Sequence, residues 1–349
     1  MQTALLALLL ACTGDPPGVE PDPDDEPCTI ADVDLVEVFH HVIDGEADAC
    51  DIDAFTEFVD ARTAASGPWK QDVRMAWSED AVLFTPLDGV VVETAAVPEI
   101  VLHDGRYWLY HVDGRYDHAV ELAREGSTWM QTHGVPGLGA LSLAVSDDGR
   151  TFTKVEEFEV IGVVRGMVVD PDVVRQPDGT WRMYYVGMTA AEYLTGATWE
   201  YPEEHEVYWA SSPDLVHWTQ EGALFRGPFA DPSVSCSEGD QCIMASFGLQ
   251  WSRSTNGGTE WAHEGEWGVD GFAPEITRFV DGSRRMFFNT RALGADLLSF
   301  DEDEEGVWEF NDTVVMPDLY GEAVTLAPAQ PSGWWMWFHT FKDPDDQPF

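Results

Sequence analysis

The sequence predicts an all-β chain: a five-bladed β-propeller closed by N- and C-terminal strands sharing one blade, with a short helical N-terminal cap. Three observations predict it. A Pro-acid-aliphatic step, followed by a turn and an aromatic strand, recurs at Pro98-Glu99-Ile100 and Pro171-Asp172-Val173, and in weaker form at Pro232-Ser233-Val234, Pro274-Glu275-Ile276 and Glu322-Ala323-Val324. An outer motif, Ser-x-Asp/Asn with a short turn and an aromatic, runs from Ser78 to Phe84, Ser146 to Phe152, Ser212 to Trp218 and Ser254 to Trp261. A degenerate copy spans Asp301 to Trp308. The chain starts with an outer motif lacking an inner partner and ends with an inner motif lacking an outer one. Strands from the two ends can then complete one blade, and a closed circle of sheets leaves no open edge.

Aromatic strands follow four of the five inner steps: Tyr107 to Tyr110, Trp181 to Tyr185, Arg285 to Phe288 and Trp334 to Phe338. With 15 Trp, 18 Phe and 9 Tyr the chain has ample apolar area for packing blade on blade. The propeller is placed at 67–349. Before it, Val33, Leu35, Val36, Val38, Phe39 and Val42, then Phe55, Phe58 and Val59, recur at mixed helical spacings, so 30–66 reads as a short helical cap.

The first residues read as an export signal. Ala4 to Ala11 is apolar but too short to span a bilayer. Leu9-Leu10-Ala11-Cys12 resembles the bacterial lipobox, which makes 1–12 a lipoprotein-type signal peptide and Cys12 the acylated residue, although Met1-Gln2-Thr3 carries no basic residue. The acidic, Pro-rich stretch 13–29 reads as a tether. The expected location is the cell envelope, at the membrane or cell surface. Four further cysteines suit an oxidising compartment, with Cys28–Cys50 and Cys236–Cys242 the pairs suggested by proximity. No Cys-x-x-Cys pair or nearby His cluster supports the zinc alternative.

With 64 acidic and 18 basic residues, the net charge of −46 repels phosphate backbones and anionic membranes. Nucleic acid is excluded as a partner, membrane contact is expected only through the lipid, and a monomer is expected.

Propellers gather the starts of their innermost strands around a central funnel. Aligned on the proline, the preceding residues are Val97, Asp170, Asp231, Ala273 and Gly321; the following ones are Glu99, Asp172, Ser233, Glu275 and Ala323, with Glu322 in the proline slot. Every blade therefore brings a carboxylate to the funnel end. Converging carboxylates raise each other's pKa, leaving an acid beside a base, which glycoside hydrolysis requires. Turn chemistry is the alternative, since Asp before Pro initiates turns and satisfies its own backbone.

The segments Val169-Asp170-Pro171-Asp172-Val173-Val174, Asp178 to Tyr185 and Ala210 to Trp218 resemble the five-bladed glycosidases of glycoside hydrolase families 43 and 32. The resemblance runs from Val73 onward. It implies hydrolysis of glycosidic bonds in an extracellular oligo- or polysaccharide, with Asp170 as base or nucleophile, Asp231 as modulating acid, and Glu275 or Glu322 as proton donor. Glu99 and Asp172 would line subsites. Arg115, His118 and Arg291, each shortly after an inner strand, could reach a sugar, and Trp335 could stack on one. The chain departs from those families in having Val97-Pro98-Glu99 where they have Asp-Pro, and in lacking Glu-Gly-Pro. These departures favour the alternative, a non-catalytic glycan-binding or scaffold propeller. No cofactor and no metal-ligand set are expected, although some relatives carry a structural calcium on the axis and the acid ring leaves room for one.

Overall fold

The computed structural model describes residues 33–63, 67–164, 166–195, 205–227, 229–237, 240–290, 296–316 and 321–343. Five sheets surround one axis. Blade 1 is Ala95–His103, Arg106–Asp113 and Gly139–Ser146, with Thr153–Lys154 outside them. Blade 2 is Gly166–Arg175, Trp181–Thr189, Glu206–Ser212 and His217–Arg226, with Glu159–Ile161 running parallel at its outer edge. Blade 3 is Ser233–Cys236, Cys242–Ser246, Gln250–Ser254 and Ala262–Glu266; blade 4 is Gly271–Arg278, Arg284–Thr290, Leu297–Glu302 and Trp308–Met316. Blade 5 joins the ends of the chain: Gly321–Pro328 and Trp334–Phe341 are its inner strands, Gln71–Ser78 and Thr85–Pro86 its outer ones. Gln71–Ser78 pairs with Trp334–Phe341 from Gln71↔Phe341 to Ser78↔Trp334, which closes the circle.

The two repeated motifs are recurrent because they touch. In the outer turns a Ser hydroxyl and an Asp or Asn carboxylate or amide oxygen collect backbone N–H groups. The Gly149 N–H donates to Ser146 Oγ at 2.9 Å, and those of Arg150 and Thr151 donate to Asp148 Oδ1 at 2.8 Å, holding Asp148 near pKa 2. The carbonyls freed by the turn accept from the aromatic strand of the preceding blade. Tyr110 Oη donates to the Leu215 carbonyl at 2.6 Å, Tyr184 Oη to Gly258 at 3.1 Å, and Trp337 Nε1 to Gly149 at 3.2 Å. Arg285 does the same from blade 4, donating to the Ala81 carbonyl at 2.7 Å. Only glycine suits position 258, since its φ is +79° and a Cβ there would lie 2.0 Å from Tyr184 Oη.

The N-terminal segment forms Leu35–Asp44, capped by Asp34 Oδ1 accepting the Val36 N–H, and Ala49–Thr63. Insertions in the first two blades add Tyr116–Glu125, Met130–His133 and Ala190–Thr195. Val38, Phe39, Val42, Ile43, Phe55 and Val59 share one core with Ala96, Met167 and Val169, where inner strands begin, and with Val112, Val186 and Met188, where second strands end. The helices thus cover the funnel mouth over blades 1 and 2. Among the described residues no helix is long and apolar enough to cross a membrane. Residues 1–12 and 13–29, with Cys12 and Cys28, lie outside the described residues. Cys236–Cys242 is a disulfide closing the hairpin of blade 3, and Cys50 is disulfide-bonded.

Candidate functional site

The inner strand of each blade has its free edge toward the axis, where its N–H groups have no ladder partner. Four of the five inner strands are also bulged at the repeated step. Pairing skips from Ala96 to Glu99, from Val169 to Asp172, from Phe272 to Glu275 and from Glu322 to Val324. The residue before the proline slot is left-handed in all five blades: φ is 45° at Val97, 54° at Asp170, 50° at Asp231, just before the strand of blade 3, 47° at Ala273 and 47° at Ala323. This geometry corrects the alignment of blade 5 by two residues. Ala323 is the bulged residue, Val324 holds the proline slot, and Thr325 rather than Ala323 faces the axis after it. Glu322 therefore precedes the bulge in the backbone register, and its side chain lies outside the described residues.

Two layers of side chains result. In the first, the Asp231 N–H donates to Asp170 Oδ2 at 3.2 Å, and the carboxyl groups of Asp170 and Asp231 are hydrogen-bonded to each other. Burial pushes Asp231 up to about 6, against the Asp170 hydrogen bond and the Ala273 N–H. Asp tolerates the left-handed region better than most residues; Val97, β-branched, does not, and stands in it at the equivalent place in blade 1. On that side the layer is apolar, with Val97, Phe247, Phe272, Ala273 and Ala323 in contact.

The second layer, two residues on, is a ring of oxygens with one member from each blade: Glu99, Asp172, Ser233, Glu275 and Thr325. Each ties its blade to a neighbour. Glu99 Oε1 accepts the Val173 N–H at 3.2 Å and Ser233 Oγ the Ile276 N–H at 2.8 Å, while Thr325 Oγ1 accepts the Ile100 N–H at 3.1 Å. Thr325 Oγ1 donates to Glu99 at 3.0 Å, and Ser233 Oγ to Glu275 at 3.1 Å. Glu99, Asp172 and Glu275 each place an oxygen within 4.8 Å of the other two. Burial, then the charge of Glu275, raises Glu99 and Asp172 well above the carboxylate range. Burial brings Glu275 to about 7, moderated chiefly by the hydrogen bond from Ser233.

The structure thus brings together Asp170 with Asp231, and Glu99 and Asp172 with Glu275. Glu99 and Asp172 are each only 6% exposed, so they are axial packing groups and do not line an open subsite. Arg115 is engaged by Asp113, donating from Nε to Oδ1 at 2.9 Å, and His118 sits edge-on to Trp129. Trp335 is corrected outright. Its strand runs back toward the mouth, so Trp335 lies near its far end, buried, with the Arg150 guanidinium 5.0 Å over its ring. Arg291 lies outside the described residues.

Two residues at the mouth were not legible as site residues. His339 pairs with Glu322 and accepts the Val97 N–H on Nδ1 at 2.9 Å, so its proton is on Nε2. Burial holds it neutral, at about 3, and Nε2 is buried without a hydrogen-bond partner among the described residues. Thr290 pairs with Gly271, and its hydroxyl is likewise buried and unpartnered. The strand positions opposite the residue before the bulge are Val112 and Val186 under the cap, but Asn289 and His339 in blades 4 and 5. In blades 4 and 5 this one position is therefore polar, beside the apolar layer of Phe247, Phe272, Ala273 and Ala323.

No family model matches the chain, and no curated protein matches it. Several solved structures resemble it. A GH43 protein from Bacillus licheniformis is 12% identical with a TM-score of 0.48, over 69% of this chain and 48% of that one. An exo-β-1,3-galactanase from Phanerochaete chrysosporium is 13% identical with a TM-score of 0.49, over 77% and 64%. An endo-arabinase from Bacteroides thetaiotaomicron is 16% identical with a TM-score of 0.46, over 65% and 84%. The chain spans about half the length of the first and under two thirds of the second. The strand order is what establishes the five-bladed β-propeller.

Proposed function

We propose that the chain is a glycan-binding propeller displayed at the cell envelope through an acylated Cys12, its funnel carboxylates serving closure of the ring rather than hydrolysis. The observation that carries this reading is the spacing of the acids. Hydrolysis by two carboxylates needs them about 5–5.5 Å or 6.5–9.5 Å apart around the anomeric carbon. Asp170 and Asp231 are in hydrogen-bond contact, and Glu99, Asp172 and Glu275 crowd within 4.8 Å in the buried axis. In blade 1 the place matching the two aspartates is Val97.

Binding falls to the uncapped half of the mouth. A sugar hydroxyl is both donor and acceptor, and can satisfy the buried Nε2–H of His339 and the hydroxyl of Thr290. An unpaired buried polar group costs about 1–3 kcal/mol, so a ligand that pairs it gains affinity. The carbohydrate class rests on the resemblance of the Asp170-Pro171-Asp172 segment and the outer turns to glycosidases.

One observation favours hydrolysis instead: Asp231, near 6 beside Asp170, is an acid next to a base. The test is one experiment with two readouts, retention on and sugar release from arabinan, xylan, fructan and β-1,3-galactan. Retention without release supports the binding reading. Release that disappears in Asp170→Asn and in Asp231→Asn overturns it in favour of the hydrolase.

A further inference from the structure

We propose that Arg182 and Gln176, at the seam between blades 2 and 3, bind the carboxylate of a small organic acid or acidic sugar, taken side-on by the Nε–Nη2 edge of the guanidinium. Arg182 is only 9% exposed and has no ion pair among the described residues, in a chain with 64 acidic residues. Its Nη1 donates to the Gly257 carbonyl and, at 3.4 Å, to Tyr184 Oη. The Trp209 ring, its centroid 4.5 Å from Cζ, covers the guanidinium face. That leaves the Nε–Nη2 edge. Nε is buried without a hydrogen-bond partner, and so is Nε2 of Gln176. Gln176 borders the same turn, its Oε1 lying 3.9 Å from the place that a Cβ on Gly257 would take. Two buried donors, one of them cationic, call for an anion, because a buried charge left unpaired is costly.

The internal repeat shows which anion fits. Arg182-Met183-Tyr184 in blade 2 matches Arg285-Met286-Phe287 in blade 4, and Arg285 Nη1 likewise donates to the outer turn of the next blade, at the Ala81 carbonyl. In blade 4 the Nε of this arginine donates to a carboxylate, that of Asp301, the residue paired with Arg285 on the third strand. An amide completes the arrangement there, Asn311 Nδ2 donating to Asp301 Oδ2 at 2.9 Å. In blade 2 the residue paired with Arg182 is Ser211, whose hydroxyl donates to Glu221 at 2.6 Å. Asp178, in the hairpin between the two inner strands, is committed to the N–H and the hydroxyl of Thr180, at 2.9 and 2.6 Å. Blade 2 therefore has the arginine fork and an amide donor beside it, and no acid of its own that serves them. A carboxylate from solution has the planar pair of oxygens that the fork matches. The site lies at the start of Trp181–Thr189, whose other end carries Met188 under the cap, so it does not depend on glycan binding at the mouth.

The experiment uses the purified full chain at about 0.5 M ionic strength, which screens the acidic surface. Sodium chloride is exchanged stepwise for sodium acetate or sodium glucuronate, with methyl glucoside as the neutral control. The Arg182 Nε–H signal, identified by its absence from Arg182→Lys, is followed by nitrogen–proton NMR, and thermal unfolding is recorded in parallel. Both acids should move the signal to saturation and raise Tm by roughly 5 °C at a hundredfold excess over Kd. Methyl glucoside should do neither. Arg182→Lys keeps the charge but lacks the fork, and should lose most of the rise. Ser211→Asp combined with Glu221→Gln supplies a carboxylate from within, as Asp301 does in blade 4, and should lose it too. If Arg182→Lys does not fold, the double variant decides. Glucuronate binding at least about tenfold tighter than acetate assigns the site to acidic sugars, and equal affinities assign it to small carboxylates in general. A signal that stays in place with both acids overturns the proposal, as does an equal rise in Tm in wild type and the variants.

Discussion

The backbone N–H of Asp231 donates to the carboxylate of Asp170 at 3.2 Å, across the boundary between blades 3 and 2. Both residues stand at positive φ, Asp170 in the bulge of its strand and Asp231 just before the strand Ser233–Cys236, which turns the N–H of one blade toward the side chain of the next. It makes Asp170 a structural residue whatever else it does. Asp170→Asn keeps an acceptor and the tolerance of Asn for this backbone, so it should leave stability within about 1 kcal/mol. Asp170→Ala leaves the Asp231 N–H without that acceptor and should cost about 2–3 kcal/mol, as denaturant unfolding of the two variants would show.

The axial acids set a pH dependence whose sign follows from their raised values. Glu275 moves from the ordinary 4.5 to about 7 on folding. The folded chain therefore binds a proton that the unfolded chain has released, and stability falls as pH rises from about 4.5 to 7. His133, near 4, and His339, near 3, act the opposite way, costing stability as pH falls below 6.5. The difference between wild type and Glu275→Gln isolates the carboxylate. In chelator, the variant should match wild type near pH 5 and exceed it near pH 8 by up to about 3 kcal/mol. Parallel stability curves would refute the assignment.

The contacts between aromatic strands and outer turns should be individually modest. Leu215 O accepts from both Tyr110 Oη and Trp218 Nε1, so Tyr110→Phe leaves the carbonyl paired. The expected loss is about 1 kcal/mol, read from the midpoint of chemical unfolding. A loss above about 3 kcal/mol would mean the hydroxyl does more than join two blades.

The cap is held by packing. Phe39, 1% exposed, meets Phe55 and Phe58 edge-on with centroids 5.3 Å away in each case. Phe39→Ala should cost about 3–5 kcal/mol. Because the same core includes Ala96, Met167 and Val169, proteolysis in this variant should begin in the two N-terminal helices.

How far the site could be read from the chain depended on whether each contact is local. The outer turns were legible because Ser146, Asp148 and the N–H groups they bind lie within a few residues of one another. The acids at Asp170, Asp172, Asp231 and Glu275 were legible as a set converging on the axis. Their sorting into a contact pair and a crowded ring was not, because a bulge decides which of two nearby side chains faces which neighbour. Blade 5 shows the same limit. With its proline replaced by Val324, nothing in the local pattern marks Ala323 as the bulged residue, and Thr325 is visible as a member of the ring only from the pairing of strands. His339 was hidden for a related reason: its partner, the Val97 N–H, lies 242 positions away.

The number of blades, the shared closing blade and the Cys236–Cys242 hairpin were determined by the sequence alone, since repeats and short-range pairs leave their imprint within a few tens of residues. Tertiary structure decided which carboxylates meet, which half of the mouth the cap covers, and that Trp335 faces Arg150 rather than a ligand. Those outcomes follow from bulge register and from packing between blades, where residues distant in the chain share one buried, low-dielectric axis.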